Sequence, residues 1–332
     1  MINAMKAWSG CLRKLTGVVL GTLLLSAQPL VMAGAEQGET AGYTPYKLQI
    51  EQPFTMAGGE FDYRHQIQVA LPASYNENLA RRYPVLWLTD GSLTFDLAVG
   101  LLNALTLGNS SPEMIIVAVG ASGTTGYEGF VAQRTMEFSP PVSSDISAQH
   151  NKKYYADRPE LAALLALPKR ADKFLAFLVD ELRPQLETRY RMSGDHALFG
   201  HSFGGVFASY ALLVRPVAFS KYLIGSPNLN STFGAIFALE KQYAEDHADL
   251  DAAVFFAAGE LELNSKMMAA GGVVGKMVEL SDVLRLRDYE SLRIGTRIFP
   301  GKDHFSVIAD VLTSGVKFLW EQEIQALGPL LK

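Results

Sequence analysis

The sequence predicts an α/β domain with a mostly parallel central sheet and helices on both faces. Two short segments, Val85 to Leu88 and Ile115 to Val119, are apolar at every position, as strands must be when helices cover them from both sides. Longer stretches lie between such segments, and in 169–190 the apolar residues recur at helical spacing. This alternation over most of the chain favours a doubly wound arrangement.

Several apolar segments too short for helices are predicted to be strands: Gln66 to Leu71, Pro84 to Thr89, Met114 to Val119, His196 to Phe199, Lys221 to Ile224, Ala253 to Ala258 and Leu292 to Phe299. The first of these has the polar alternation of an antiparallel edge strand. Helices are predicted at Leu93 to Leu107, Glu160 to Leu167, Lys169 to Tyr190, Phe203 to Val214, Thr232 to His247, Lys276 to Asp288 and Phe305 to Leu327.

The region from about 121 to 168 is the least regular part of the chain. It contains three glycines in seven residues from Gly123 to Gly129, and then the pair Pro140-Pro141. Long irregular connections in compact domains are usually functional. We therefore expect a loop-rich cap over one end of the sheet.

The N-terminus has the layout of a secretory signal peptide. Three cations, Lys6, Arg13 and Lys14, precede an apolar run from Leu15 to Ala27, and small residues follow at 33–35. The run is shorter than the roughly 20 residues of a spanning helix. We expect cleavage after Ala35, with Ala33 or an uncleaved anchor as alternatives, and a periplasmic or secreted domain over 36–332 without stable membrane insertion.

Composition excludes some functions. The formal net charge is −5 and no run of Lys and Arg is present, so a nucleic-acid partner is not expected. The single cysteine, Cys11, precedes the apolar run, and the histidines lack the spacing of metal ligands. We therefore expect neither a metal nor an organic cofactor.

One motif carries chemistry. Gly200-His201-Ser202-Phe203-Gly204 follows a predicted strand and precedes a predicted helix, which is the context of a nucleophile elbow in the α/β-hydrolase fold. The sharp turn would present Ser202 above the sheet edge and direct the Phe203 N–H into an oxyanion site. A structural turn is the alternative.

A serine hydroxyl needs a base, and His304 follows the last predicted strand, where the order nucleophile, acid, histidine places it. The acid should follow the preceding strand, where Glu260 and Glu262 compete. The common spacing favours Glu262, and Glu260 could instead make a loop contact. A second oxyanion N–H should come from the loop after Leu88, at Ser92 or Gly91, with a simple turn at Asp90-Gly91 as the alternative.

These residues resemble the esterase D-type group of α/β hydrolases, especially its branch of exported bacterial esterases that includes siderophore trilactone esterases. The resemblance spans most of the chain beyond the signal. It rests on the motifs at 87–91, 134–140, 200–205, 226–228 and 259–262, and on His304.

The resemblance implies that Ser202 is the nucleophile, His304 the base and Glu262 the acid, although some members use a Ser-His dyad. It implies that Phe203 and Ser92 donate the oxyanion N–H groups. Arg134 is expected to bind substrate, with a salt bridge to Glu137 or another carboxylate as the alternative.

The resulting hypothesis is hydrolysis of a small-molecule carboxylic ester through an acyl-enzyme. A siderophore lactone or another small acyl ester would be the substrate. Acyl transfer by the same residues and a catalytically inert binding protein on a hydrolase scaffold are the alternatives.

Overall fold

The computed structural model describes residues 46–122, 126–141 and 157–328. The predicted signal peptide and part of the predicted cap, including 142–156, lie outside the described residues. Within the described ranges, no helix is long and apolar enough to cross a membrane.

A nine-stranded mixed sheet forms the centre of the domain. Six neighbouring strands are parallel, in the order β5-β4-β6-β7-β8-β9, and β3 joins them antiparallel at β5. β1 and β2 both pair antiparallel with β3. The bounds are β1 Gln49–Ile50, β2 Phe54–Ala57, β3 Arg64–Leu71, β4 Tyr83–Leu88, β5 Ile115–Ala121, β6 Met192–His201, β7 Lys221–Gly225, β8 Ala252–Gly259 and β9 Leu292–Phe299.

Helices cover both faces of this sheet. The described α-helices are α1 Gly91–Leu107, α2 Gly126–Phe138, α3 Pro159–Leu165, α4 Ala171–Ala176, α5 Arg183–Arg189, α6 Phe203–Val214, α7 Ala235–Asp246, α8 Lys266–Ala270, α9 Gly275–Arg285, α10 Ile308–Leu319 and α11 Glu321–Leu327. A π-helical turn, Phe177–Leu182, joins α4 to α5, and short 3₁₀ turns include Leu229–Thr232 and Glu260–Asn264.

The apolar strands are buried on both faces, which is why they lack alternation. In β4, Val85 and Trp87 pack into the layer that contains α4, α6 and α9, whereas Leu86 and Leu88 pack into the layer that contains α1 and α10. All four side chains are at most 2% exposed. The predicted α/β fold with a mostly parallel sheet is confirmed.

Helix α2 lies inside the predicted cap and was not anticipated. Its buried residues include Gln133, Thr135 and Glu137, so the helix lacks the apolar stripe that reveals most helices in a sequence. Its glycines, Gly126 and Gly129, also lower helix propensity. Polar contacts hold this helix against the domain, as described below.

The C-terminal helix predicted over 305–327 is two helices, because Trp320 interrupts it. Trp320 is fully buried, and its Nε1 donates to Asp195 Oδ2 at 2.7 Å. Lys221 Nζ contacts the other oxygen of Asp195 at 2.5 Å. Asp195 on β6 thus contacts both Lys221, the first residue of β7, and Trp320, which lies between α10 and α11.

His196, in β6, is buried as a neutral imidazole. Its Nδ1 accepts a hydrogen bond from Trp87 Nε1 at 3.1 Å, which requires that nitrogen to be unprotonated. Burial, with the nearby positive charge of Arg183, lowers the pKa of His196 to about 4, while Asp195 opposes the shift. The folded state therefore resists protonation that the unfolded chain accepts near pH 6.5.

We expect this histidine to make the domain sensitive to acid. Its contribution to the free energy of unfolding is complete above pH 6.5 and is lost as the pH falls toward 4, because the unfolded chain binds the proton first. Between pH 7.5 and pH 5 the loss should be about 2 kcal/mol. His196→Gln keeps an acceptor for Trp87 but cannot take up the proton. Its free energy of unfolding, measured with urea, should therefore fall less over this pH range than that of the wild-type protein. Equal losses in the two proteins would contradict this account.

Candidate active site

Ser202 stands at the sharp turn between β6 and α6. Its backbone has φ 60° and ψ −116°, a conformation that a non-glycine residue adopts only under constraint. The constraint is visible in its hydrogen bonds: its N–H donates to Gly225 O at 2.9 Å, and its carbonyl accepts from Val206 N at 3.1 Å. The turn therefore presents the serine side chain at the carboxyl edge of the sheet.

The glycines around Ser202 are required by close backbone contact. A Cβ on Gly200 would overlap the carbonyl of Gly204, and a Cβ on Gly204 would overlap the Thr89 hydroxyl. The first contact lets α6 start immediately over the strand end. The second brings α6 against the end of β4, where α1 also begins.

His304 and Glu262 meet at the same edge. His304 Nδ1 lies 2.5 Å from Glu262 Oε1, and the Glu262 side chain is 1% exposed. His304 follows β9 in a turn held by Asp303, whose carboxylate accepts from the Phe305 and Ser306 N–H groups at 3.1 and 2.8 Å. With Nδ1 facing Glu262, the ring leaves Nε2 for another partner.

Glu262 is fixed by further hydrogen bonds at its second oxygen. Its Oε2 accepts from Ser226 Oγ at 2.8 Å and from Gly259 N at 2.7 Å. The competing Glu260 does not contact His304; its Oε2 accepts from Gly301 N at 2.8 Å in the neighbouring turn. Of the two glutamates, Glu262 thus contacts His304, whereas Glu260 accepts a hydrogen bond from the turn at Gly301.

His201, beside Ser202, is buried and packs against His304, with ring centroids 4.6 Å apart. This contact places the His304 ring next to the elbow. Burial, followed by the charge on His304, lowers the pKa of His201 well below its usual value. His201 therefore supplies a neutral packing surface for the histidine that faces Glu262.

The expected oxyanion donors lie at two helix starts. Phe203 is the first residue of α6, and Gly91 and Ser92 are the first two of α1. N–H groups in the first turn of a helix have no acceptor within that helix. The two helix starts are adjacent because β4 and β6 are parallel neighbours, and Thr89 N donates to Phe199 O at 3.1 Å between them.

Arg134, on α2, pairs with Asp90 rather than with Glu137. Its Nε and Nη2 donate to the two Asp90 carboxylate oxygens at 2.7 and 3.0 Å, and Nη2 also donates to His201 O at 3.1 Å. The Arg134 side chain is 13% exposed. Burial raises the pKa of Asp90, and the positive charge of Arg134 opposes that shift.

Glu137 instead anchors α2 to the sheet. It accepts from Tyr63 Oη at 2.7 Å and from Gln133 Nε2, and it lies 2.8 Å from His65 Nε2. Both His65 and Glu137 are at most 1% exposed. The predicted partner of Arg134 is therefore occupied by residues of β3 and of the segment before it.

A cavity of about 430 Å³ lies beside Glu262. Its apolar lining comprises Leu263, Met268, Ala269, Val273 and Val274, and its polar lining includes Asn230, Lys276 and Glu279. The segment that contributes Asn230 to this lining also contacts the serine turn, since Asn228 N donates to Ser202 O at 3.4 Å. Its volume is in the range typical of small-ligand pockets.

The sequence did not identify two residues that bind site groups. Asp90 was considered as part of a turn, but its carboxylate binds Arg134; Ser226 carried no expected role, but its hydroxyl binds Glu262. Both have positive φ, 56° and 42°. Among the described residues, no group of three or more potential metal-ligating His, Cys, Asp and Glu side chains occurs.

Comparison with known proteins identifies the family of this chain. The family model named Esterase and described as "Putative esterase" matches residues 59–270, a span that includes Ser202 and Glu262 and ends before His304. The ferri-bacillibactin esterase BesA of Bacillus subtilis (strain 168) is 26% identical over 247 residues, covering 71% of this chain and 78% of the relative.

Two fungal proteins extend the comparison. The siderophore enterobactin esterase of Emericella nidulans is 25% identical over 285 residues, covering 79% of this chain and 91% of that protein. The solved structure of the siderophore hydrolase EstA from Aspergillus nidulans superposes with a TM-score of 0.69 at 23% identity, covering 85% of this chain and 98% of EstA. The chain belongs to the Esterase family, whose model matches residues 59–270, and is a carboxylic ester hydrolase with the α/β-hydrolase fold.

Proposed function

We propose that Ser202 is the nucleophile of this hydrolase, with His304 as its general base and Glu262 as the acid that orients the base. The observation that carries the proposal is the short contact between His304 Nδ1 and Glu262 Oε1, beside a strained serine turn. A histidine held at Nδ1 by a buried carboxylate has the tautomer and orientation that a serine base needs.

The chemistry follows from these positions. His304 Nε2 accepts the Ser202 proton as Oγ attacks the ester carbonyl carbon, and the tetrahedral oxyanion binds the N–H groups of Phe203 and of Ser92. The protonated histidine then gives its proton to the departing alkoxide, which leaves an acyl-enzyme. In the second half, His304 takes a proton from water, hydroxide attacks the acyl carbon, and Ser202 regains its proton as the acid leaves.

The substrate class we propose is a siderophore ester. Two relatives, aligned over most of their own length, are named as esterases of ferri-bacillibactin and of enterobactin. Hydrolysis of such an ester requires access for a bulky substrate to the carboxyl edge of the sheet. The open turn that carries His304, with Phe305 exposed by 70%, is consistent with such access.

We also propose that the domain acts after export, with residues 1–35 removed as a signal peptide and 36–332 forming the hydrolase domain. The support is the cationic start and apolar run of the sequence. Mass spectrometry of the protein from a periplasmic extract tests this proposal. A chain that begins at Glu36 supports it, and a full-length chain in the cytoplasm contradicts it.

The first test measures hydrolysis of p-nitrophenyl acetate and of iron-free enterobactin by the wild-type protein, Ser202→Ala and His304→Ala. We expect each variant to lose about 10³-fold or more in kcat, because the serine and histidine act as a unit. Ser202→Ala should also fail to react with a fluorophosphonate probe. Retention of activity in Ser202→Ala would overturn the assignment, and hydrolysis of the simple ester alone would overturn the siderophore proposal.

The acid can be tested by a matched pair of glutamates two residues apart. Glu262→Gln should lower kcat by about 10³-fold, since an amide that donates toward Nδ1 favours the wrong histidine tautomer. Glu260→Gln keeps an oxygen acceptor for Gly301 N and should retain wild-type activity. A loss below tenfold in Glu262→Gln would show that a Ser-His dyad suffices.

We propose that the cavity beside Glu262 binds the aliphatic part of acyl substrates. Ala269 is exposed and lines the cavity, whereas its neighbour Ala270 is exposed and does not. Ala269→Phe should therefore lower the ratio of kcat/KM for p-nitrophenyl octanoate to kcat/KM for the acetate about tenfold, because the phenyl ring would occupy the space that the octanoyl group fills. Ala270→Phe is the control; the same octanoate-to-acetate ratio in both variants would contradict the proposal.

A further inference from the structure

Arg134 connects the two segments that carry the proposed oxyanion donors. One end of the connection is Asp90, which directly precedes Gly91 and Ser92 at the start of α1. The other end is the carbonyl of His201, which directly precedes Ser202 and Phe203. Three donor contacts from one guanidinium, all between 2.7 and 3.1 Å, thus join the loop after β4 to the turn after β6.

The guanidinium also packs against the elbow itself. Its carbon lies 5.6 Å from the ring centroid of Phe203 and 4.9 Å from that of Phe130, within the range of cation–π contact. Arg134 therefore contacts residues on both sides of Ser202.

Both residues that anchor this connection lie in segments held by further hydrogen bonds. α2 is held to the sheet through Glu137, which binds His65 and Tyr63 as described above. Asp90 is buried with its backbone at φ 56° and ψ 48°, and its carbonyl accepts from Leu93 N and Thr94 N at 2.8 and 3.0 Å. A change at Arg134 would therefore be transmitted to the first turn of α1.

The spacing of the two helix starts matters for catalysis. Two N–H groups stabilise one oxyanion only when both lie about 3 Å from it, and misplacement by about 1 Å can cost roughly 100-fold in rate. The β4–β6 ladder ends at Leu88 and Phe199, and one further backbone hydrogen bond, from Thr89 N to Phe199 O, still lies before the donors. Beyond that point, Arg134 links the two segments through side-chain contacts.

We propose that Arg134 is a positioning residue: through Asp90 and the His201 carbonyl it sets the spacing between the Ser92 and Phe203 N–H groups. The arginine acts on the rate of the chemical step and not on substrate binding. The proposal rests on the proposed function, since it assigns the residue that positions that oxyanion site.

The test compares Arg134→Met, Arg134→Lys, Asp90→Asn and the double variant Arg134→Met/Asp90→Asn on the neutral ester p-nitrophenyl acetate. Methionine keeps the packing length and removes the fork of donors. We expect Arg134→Met to lower kcat on the order of 100-fold with KM nearly unchanged, and to slow labelling of Ser202 by a neutral fluorophosphonate by the same factor. Arg134→Lys, which cannot bind both Asp90 oxygens at once, should lie between.

The double variant separates positioning from other roles. Because Arg134 and Asp90 form one link, the double variant should be no slower than the slower single variant. Losses in kcat that multiply in the double variant would overturn the link through Asp90. An effect confined to KM for anionic esters, with unchanged labelling by the neutral probe, would overturn the proposal in favour of direct substrate binding.

The control is a second arginine fork with the same geometry. Arg287 donates from Nε and Nη2 to the two oxygens of the buried Glu240 at 2.7 and 2.9 Å, between α7 and the end of α9. Arg287→Met should lower the melting temperature without changing kcat or the labelling rate. If it lowers kcat as much as Arg134→Met, the effect of Arg134 is one of general stability and the proposal fails.

Failure of the proposed function would give a different result. Wild-type protein would then be inert to the ester and to the probe, or Ser202→Ala would keep its activity. If instead the wild-type enzyme is active and Arg134→Met keeps the wild-type kcat, only the positioning role of Arg134 is contradicted.

Discussion

The active-site edge depends on strained backbone at the ends of three neighbouring strands. Asp90, Ser202 and Ser226 follow β4, β6 and β7, and all three have positive φ without being glycine. Such conformations typically cost 1–3 kcal/mol each and persist only where surrounding contacts determine them. Here the contacts are specific: Ser202 N binds Gly225 O, Ser226 N binds Ala257 O at 2.7 Å, and Asp90 O binds the first turn of α1.

The strain is useful because it turns each side chain away from the course of its strand. An extended residue would continue the pleat and point its side chain into a helix layer. At these three positions the chain turns sharply, so Ser202 lies on the sheet edge while Ser226 and Asp90 reach Glu262 and Arg134. The close glycine contacts at 200 and 204 then let α6 begin beside the serine.

Much of the fold was predictable because its signals are local. Buried parallel strands give continuous apolar runs, and the seven predicted segments match strands β3 to β9, with only Thr89 and Met114 lying one residue outside their strands. The elbow could be recognised because its glycines, serine and flanking elements are consecutive in the chain. The roles of Ser202, His304 and Glu262 stay predictions, although the structure brings the last two into contact.

The parts that were not predicted depend on contacts between distant residues. Helix α2 is stabilised by Glu137 bonding to Tyr63 and His65, more than 70 positions earlier, and no periodicity records such a contact. The pairing of Arg134 with Asp90 was open for the same reason. The sequence offered Glu137 as a nearby partner at i+3, while the observed partner lies 44 positions away. β1 and β2 are too short, at two and four residues, to give a reliable pattern.

Three buried carboxylates, Asp90, Glu137 and Glu262, join separate elements of the domain through hydrogen bonds. A buried charge is expensive unless a partner and hydrogen bonds compensate for it, and replacing such a pair with apolar residues is often neutral or stabilising. Stability alone therefore does not explain this arrangement. Each carboxylate holds a residue from a separate element, namely Arg134 on α2, His65 on β3 and His304 after β9. Hydrogen bonds weaken steeply when their distance or angle changes. These three buried contacts therefore fix the relative positions of elements that the apolar core would leave freer to shift, and two of them, at Arg134 and His304, hold side chains beside the turn that carries Ser202.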